Sequence, residues 1–288
     1  MGWLNAVIQG VLLGGLYALF AAGLSLMFGV MRIVNLAHGD LGVVAAFLAL
    51  ALVSGTGLPL WIVLVVTVPL FALLGYLTQR VLLQRSLGAG PLATLLVTFG
   101  LSIVLQNVLL EVFSADTRTL DGGSFATGSF KVSDSISVGY LSAVTFLLAC
   151  GALIGIQVFL SRTGLGRMLR ASSDDQETAS LMGADSRHVY GIATAIAFAT
   201  VALAGLMFAI RSSFDPAIGP SRLIFAFEAV VIGGLGSLWG TLIGGMVLGI
   251  TQSLGAQIDP ALTLLAGHLV FLAVLAFRPQ GLLTGRTA

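Results

Sequence analysis

Few residues in this chain could do chemistry, and most of them interrupt segments that are otherwise apolar. Asn35, His38 and Asp40 fall in the string NLAHGD, beside Gly39 and Gly42. Glu228 stands inside an apolar run, and Gln106 and Asn107 follow Thr98 and Ser102 in another. Ionisable groups at membrane depth are costly and rare, so each is a candidate for a substrate or proton path. Other roles stay open. NLAHGD could be an unwound helix start whose free backbone groups meet a polar substrate, or a helix cap at the membrane interface. Gln106 and Asn107 could be hydrogen-bonding glue between helices, and Glu228 could bond a helix end. His268, alone among apolar neighbours, reads as a packing residue. No Ser–His–Asp set or metal-ligand spacing stands out, and His38 with Asp40 lacks a nucleophile. No metal and no cofactor is expected. There is no GxxxxGK[ST] phosphate cradle, so any ATP hydrolysis would belong to another chain.

The elements that must position these groups are membrane helices. Of 288 residues, 57% are hydrophobic and 9% charged, against about 25% charged in soluble domains. Apolar runs near twenty residues predict an all-α, polytopic integral membrane protein in contact with the lipid bilayer. The runs do not alternate, which excludes a closed barrel. A net charge of +1 suggests no nucleic-acid partner. The single cysteine, Cys150, reads as a small packed side chain. No positive segment precedes Trp3 and the first apolar run is long, so no cleavable signal peptide is expected.

Spans are predicted at 6–30, 33–54, 59–79, 92–113, 140–160, 189–210 and 260–277, in a single transmembrane domain over 1–288. A further apolar block at 223–255 is broken by GGLGS, with Gly233, Gly234 and Gly236 at the break. Two limbs of about sixteen residues would each reach roughly 24 Å, short of the ~30 Å hydrocarbon core. A short helical hairpin or a pair of broken spans is expected there. Glycines recur at four-residue spacing at Gly10/Gly14, Gly151/Gly155, Gly236/Gly240/Gly244 and Gly245/Gly249. That spacing lets helix backbones approach closely, within one subunit or between subunits.

Arg32, Arg80, Arg85, Arg162, Arg167, Arg170, Arg187, Arg278 and Arg286 all fall on one side if the hairpin goes in and returns. The positive-inside rule makes that side cytoplasmic, with the N-terminus external and the C-terminus cytoplasmic. The loop at 114–139, with Asp116, Asp121 and Asp134, is then external, and its FKVSDSISV segment alternates like a small hairpin. The loop at 211–222 is external too.

The stretch at 161–188, SRTGLGRMLRASSDDQETASLMGADSRH, is the polar exception. Ser173 with Gln176 fits a capping box, and Gly183 fits a left-handed stop. A helix over 174–182 is predicted, with Asp174, Asp175 and Glu177 at its positive end. A helix so short is unstable alone in water and needs a groove to pack in.

ETASLMG resembles the cytoplasmic EAA loop of ABC importer permeases, whose core is Glu-Ala-Ala, three residues, then Gly. Glu177, Ala179 and Gly183 match; Thr178 stands where the pattern has Ala. GGLYALFAAGLSLMFGVMRIVNLAHGDLG, GLGRMLRASSDDQETASLMGAD, AVVIGGLGSLWGTLIGG and FRPQGLL, in that order over about 5–285, are together similar to the branched-chain amino acid ABC permease family, in its shorter permease. The resemblance implies a bacterial inner-membrane subunit. Its implied partners are ABC ATPase subunits, a second permease (a longer paralogue, or a second copy) and a periplasmic substrate-binding protein. It also implies that Arg167, Arg170, Asp174, Asp175, Glu177, Ala179 and Gly183 couple to the ATPase. Branched-chain amino acids are the expected cargo, with other amino acids, amides and urea within the family's range. The competing expectation is a stand-alone ion-coupled carrier or channel that relays protons through Asp40, His38 and Glu228.

Overall fold

The computed structural model describes residues 2–133, 136–183 and 185–283. Asp134 and Arg286, used above for loop charge and orientation, lie outside the described residues. Helix α1 (Trp3–Met31) is the centre of the bundle, buried along most of its length. Around it stand α2 (His38–Thr56), α3 (Leu60–Thr78), α5 (Pro91–Phe113), α7 (Tyr140–Arg162), α10 (Ser186–Arg211), α11 (Gly219–Gly233), α12 (Leu238–Ile258) and α13 (Leu262–Phe277). A π-turn (Gln79–Leu83) and α4 (Gln84–Leu87) prolong α3, so this span runs through Leu87 and not to 79. Among the described residues, seven helices are long and apolar enough to cross a membrane. The seventh of these is α12; α13, expected as a full span, has 16 residues, or about 24 Å.

One end of the bundle gathers the arginines and the connections near them. Gly29 of α1 meets Gly236, and Leu282 and Leu283 donate backbone bonds to Ile232 and Gly233. His188 at the start of α10 bonds Tyr76 late in α3. The opposite end carries the loop after α5, with the short α6 (Gly123–Thr127) and a hairpin of β1 (Ser129–Ser133) with β2 (Ile136–Gly139). The strands lie where alternation in the sequence suggested.

The close approach of α1 and α12 has a plain cause. Gly10 and Gly14 face Gly249 and Gly245, and a Cβ at Gly14 would stand 2.5 Å from the Met246 backbone. This glycine spacing therefore serves packing inside the chain. Gly151 and Gly155 differ: no atom lies within 4 Å of where their Cβ would be.

Two helices begin inside the bundle. After Met31 a left-handed turn at Arg32 sends the chain, non-helical, back alongside α1, and α2 starts at His38, five residues later than the 33–54 span predicted. His38 Nε2 lies 2.8 Å from Phe20 O, about three turns or roughly 17 Å back from the end of α1. Likewise 212–218 re-enters after α10. Gly205 packs on Gly42, while Gly219 packs on Gly39 and Asp40. Helix α11 thus starts about two turns below the end of α10. The two helix starts abut at mid-depth and run in opposite directions.

The hairpin expected at 223–255 is present as α11 and α12, but its limbs are unequal: 15 and 21 residues. Its glycine break is a turn at the arginine end, with Gly234 at φ +110° and Gly236 at φ +80°. The breaks at mid-depth are the non-helical segments at 32–37 and 212–218.

Candidate functional site

The polar stretch forms two helices joined at a bend. Thr163 caps α8 (Gly164–Asp174), its Oγ1 accepting from Gly166 N at 2.9 Å. Helix α8 is amphipathic. Leu169 is fully buried in a cluster with Leu26, Met27, Val30, Leu160 and Tyr190, while Leu165 and Met168 are exposed on the other face. Beneath it a cavity of about 100 Å³ joins Arg170 and Ser173 to Ser25, Gly29, Gly236 and Trp239. The root of this element therefore touches both α1 and the hairpin turn.

Asp175, not Ser173, caps the second helix, α9 (Gln176–Leu181). Its Oδ1 accepts from Glu177 N at 3.0 Å and Thr178 N at 3.2 Å, and its Oδ2 accepts the Thr178 hydroxyl. The Thr178 hydroxyl bond, with these backbone N–H groups, holds the Asp175 carboxyl below its ordinary range. Ser173 is unavailable as a cap because it sits in the last turn of α8 and donates to Arg170 O. The predicted helix over 174–182 is thus shorter at its start, because the extended residue is Asp175. Gly183 has φ +89° and donates to Ser180 O, the left-handed stop its position suggested. Thr178, the departure from the Glu-Ala-Ala pattern, is the residue that clasps the cap.

Ala179 is buried, whereas Leu181 and Met182 are 83% and 85% exposed. Between α8 and α9 lies a groove of about 530 Å³, lined by Arg167, Met168, Ala171, Asp174, Thr178 and Met182. Glu177 is exposed beside it. The arrangement is a small, rooted element with an apolar tip in solvent.

A second constellation lies at mid-depth, where α2 and α11 begin. Asn35, His38 and Asp40 are 0% exposed. Asn35 Oδ1 accepts from Ala37 N, and His38 Nε2 donates to Phe20 O. Ser102 Oγ donates to Asp40 Oδ2 at 2.5 Å, and Gln106 Nε2 donates to Asp40 Oδ1 at 3.0 Å. A Cβ at Gly219 would overlap the Asp40 carboxylate. Asp40 therefore faces the positive ends of two helices and fastens α2 to α5. Asn107 is not part of this group; it is exposed and bonds only Ile103 O of its own helix.

Glu228 belongs to a third group. Its Oε1 lies 2.5 Å from His268 Nδ1, and its Oε2 is buried without a partner. His268 thus hydrogen-bonds Glu228 as well as packing among apolar neighbours, and Glu228 binds a side chain and not a helix end. The Phe225 ring stacks on His268 at 6.1 Å and lies 5.3 Å from the Tyr17 ring, whose hydroxyl donates to Gln252.

Arg222 completes this group, and sequence reasoning missed it by assigning it to an external loop. Its guanidinium lies 4.6 Å from the Phe208 ring centre and 5.2 Å from that of Phe225. Gly219-Pro220 is a helix-start signal that puts Arg222 in a first turn. Nothing local reports the depth of that turn. A cation at the centre of a bilayer costs about 2.5–3.5 kcal/mol on insertion scales.

Comparison with known proteins fits this architecture. Residues 6–277 match the family model described as branched-chain amino acid transport system / permease component. The chain is 31% identical to the high-affinity branched-chain amino acid transport system permease protein BraD of Pseudomonas aeruginosa, over 98% of this chain and 95% of that one. It is 29% identical to the LivH permease protein of Escherichia coli K12, again over 98% and 95%. It is also 27% identical to the LivM permease protein of the same organism, over 93% of this chain and 68% of that protein. A helical bundle with these spans, matched along nearly its whole length, belongs to the branched-chain amino acid transport permease family.

Proposed function

We propose that this chain is one permease subunit of an ATP-driven importer of branched-chain or related amino acids, in the bacterial inner membrane. ATP hydrolysis is assigned to separate ABC ATPase subunits, and substrate delivery to a periplasmic binding protein on the face bearing the 114–139 loop. The arginine face is cytoplasmic by the positive-inside rule, which sets the N-terminus outside and the C-terminus inside. The second permease is a longer paralogue; likeness to both LivH and LivM supports a pair built from related chains.

The observation that carries this reading is the form of α8 and α9. Leu169 roots the pair in the bundle, and Leu181 and Met182 leave an apolar tip in water. A helix this short needs a groove to pack in, and its exposed tip suits one on a partner. When an ATPase dimer closes, its cleft carries α9, and α8 passes the movement to α1 and the turn at 234–237. In this mechanism Arg170 and Ser173 face the inner cavity, while Arg167, Asp174, Asp175, Glu177, Ala179 and Gly183 form or flank the docking side. Asn35, His38, Asp40 and Gln106 act as a joint between half-depth helices, and Glu228 lies nearer the path.

The test uses the assembled complex in proteoliposomes. Glu177→Lys and Gly183→Asp should leave insertion of the chain intact and abolish both uptake and transport-stimulated ATP hydrolysis. Normal uptake in both variants sinks the docking role. Uptake by the isolated chain, driven by a proton gradient without ATPase, would instead support the carrier alternative.

A further inference from the structure

We propose that Arg222 receives the carboxylate of the amino acid in transit, inside the membrane. The inference rests on the importer reading above and adds to it a binding group for the cargo. Tyr17 sits at the middle of α1, and its ring touches Phe225, which also lies beside the Arg222 guanidinium. Arg222 is therefore at mid-depth, not at the surface. Among the described residues its guanidinium makes no hydrogen bond and no ion pair; Phe208 and Phe225 alone hold it. The acids that could neutralise it are engaged elsewhere. Asp40 takes Ser102 and Gln106, and Glu228 takes His268.

An unpaired, half-buried cation in a membrane protein needs an anion for part of its working cycle. The surroundings specify which kind. Arg222 lies in the first turn of α11, where the helix dipole adds positive potential. A guanidinium offers a planar fork that matches a carboxylate. Ile224 and Phe227, on the exposed stripe of α11, and the Phe225 ring supply apolar surface beside it. The site thus fits a small carboxylate carrying an aliphatic side chain. Farther along α11, the buried and unpartnered Glu228 Oε2 offers an acceptor for an ammonium group.

The test is made on the complete transporter, with its ATPase, second permease and binding protein, reconstituted and supplied with radiolabelled leucine. Arg222→Gln should assemble with its partners in the wild-type ratio and lose uptake about tenfold or more, the equivalent of one charge-assisted bond. Arg222→Lys should restore part of the loss. In a Cys150→Ser background, Arg222→Cys should be rescued by a thiol reagent that attaches an ammonium group and not by a neutral one of similar size. Equal effects of the two reagents, or normal uptake by Arg222→Gln, overturns the proposal. Failure of Arg222→Gln to hold the second permease also overturns it, since the carboxylate would then be the partner's. Leucine uptake by the wild-type complex without ATP would fail the importer reading itself, independently of Arg222.

Discussion

Asp40 and Asp175 both stand at the start of a helix, one in the centre of the bundle and one in water. Asp175 caps α9 with side-chain bonds to Glu177 and Thr178, both within its own next turn. Asp40 is closed off by Ser102 and Gln106 of α5 and by the start of α11. The chemical group is the same, but its neighbours differ. In water, a lost carboxylate is replaced by solvent, and only local order suffers. At mid-depth nothing replaces it, because no water is present to satisfy the freed donors. Arg222 is the contrasting case within the buried region: a charge that, among the described residues, meets two aromatic rings and no acid. A filled joint and an open cation lie in one layer of the bundle.

The comparison breaks most completely at Gly219. A Cβ there meets the Asp40 carboxylate and Asp40 backbone together, so Gly219→Val should reach or exceed the top of the ~1–3 kcal/mol range for overpacking. Little folded protein should be recovered in detergent, and a wild-type melting temperature would show that the two starts can separate. Asp40→Asn keeps the shape and removes the charge. Hydrogen bonds to charged groups contribute about 1.5–3 kcal/mol, so a clear fall in melting temperature is expected, with uptake reduced in parallel. Ser102→Ala removes one of the donors and should cost roughly 1 kcal/mol, measured in the same melt. Asp175→Asn should have the smallest effect, with no change in melting temperature and weaker binding of the ATPase subunit.

Asp175 also gives a pH prediction. Its folded pKa lies below its ordinary value, which is about 3.9. The cap's contribution is then complete above that value and is lost as pH falls through the lower, folded one. Binding of the ATPase subunit, followed by fluorescence, should be flat on this account from about pH 5 to 8. A step within that window would assign the switch to another group.

Much of the design is legible in the residue order. Length and apolarity of the runs predict the helices, because a bilayer admits few other solutions. Arginine spacing groups the ends that the bundle brings together. GGLGS marks the turn between α11 and α12, and Gly183 marks the end of α9. Ser173 is the wrong choice of cap because SSDDQ offers four residues of capping type. Only the end of α8 decides that Asp175, and not Ser173, is the extended residue.

Depth is a different matter. DPAIGPSR reads as an ordinary loop, and NLAHGD as either an unwound helix start or an interface cap, since both are short, polar and rich in turn formers. Their descent into the bundle depends on Phe20 O, Gly42, Gly205 and the α5 hydroxyls, which are far away in the chain. Local propensity carries no record of those partners. The sequence by itself determined that this is a membrane bundle with a polar element at one end, because hydropathy and charge act residue by residue. Only the tertiary structure decided that Asp40 is sealed, that Glu228 meets His268, and that Arg222 stands unpaired at mid-depth. Those outcomes depend on which side chains from distant helices occupy the same few ångströms.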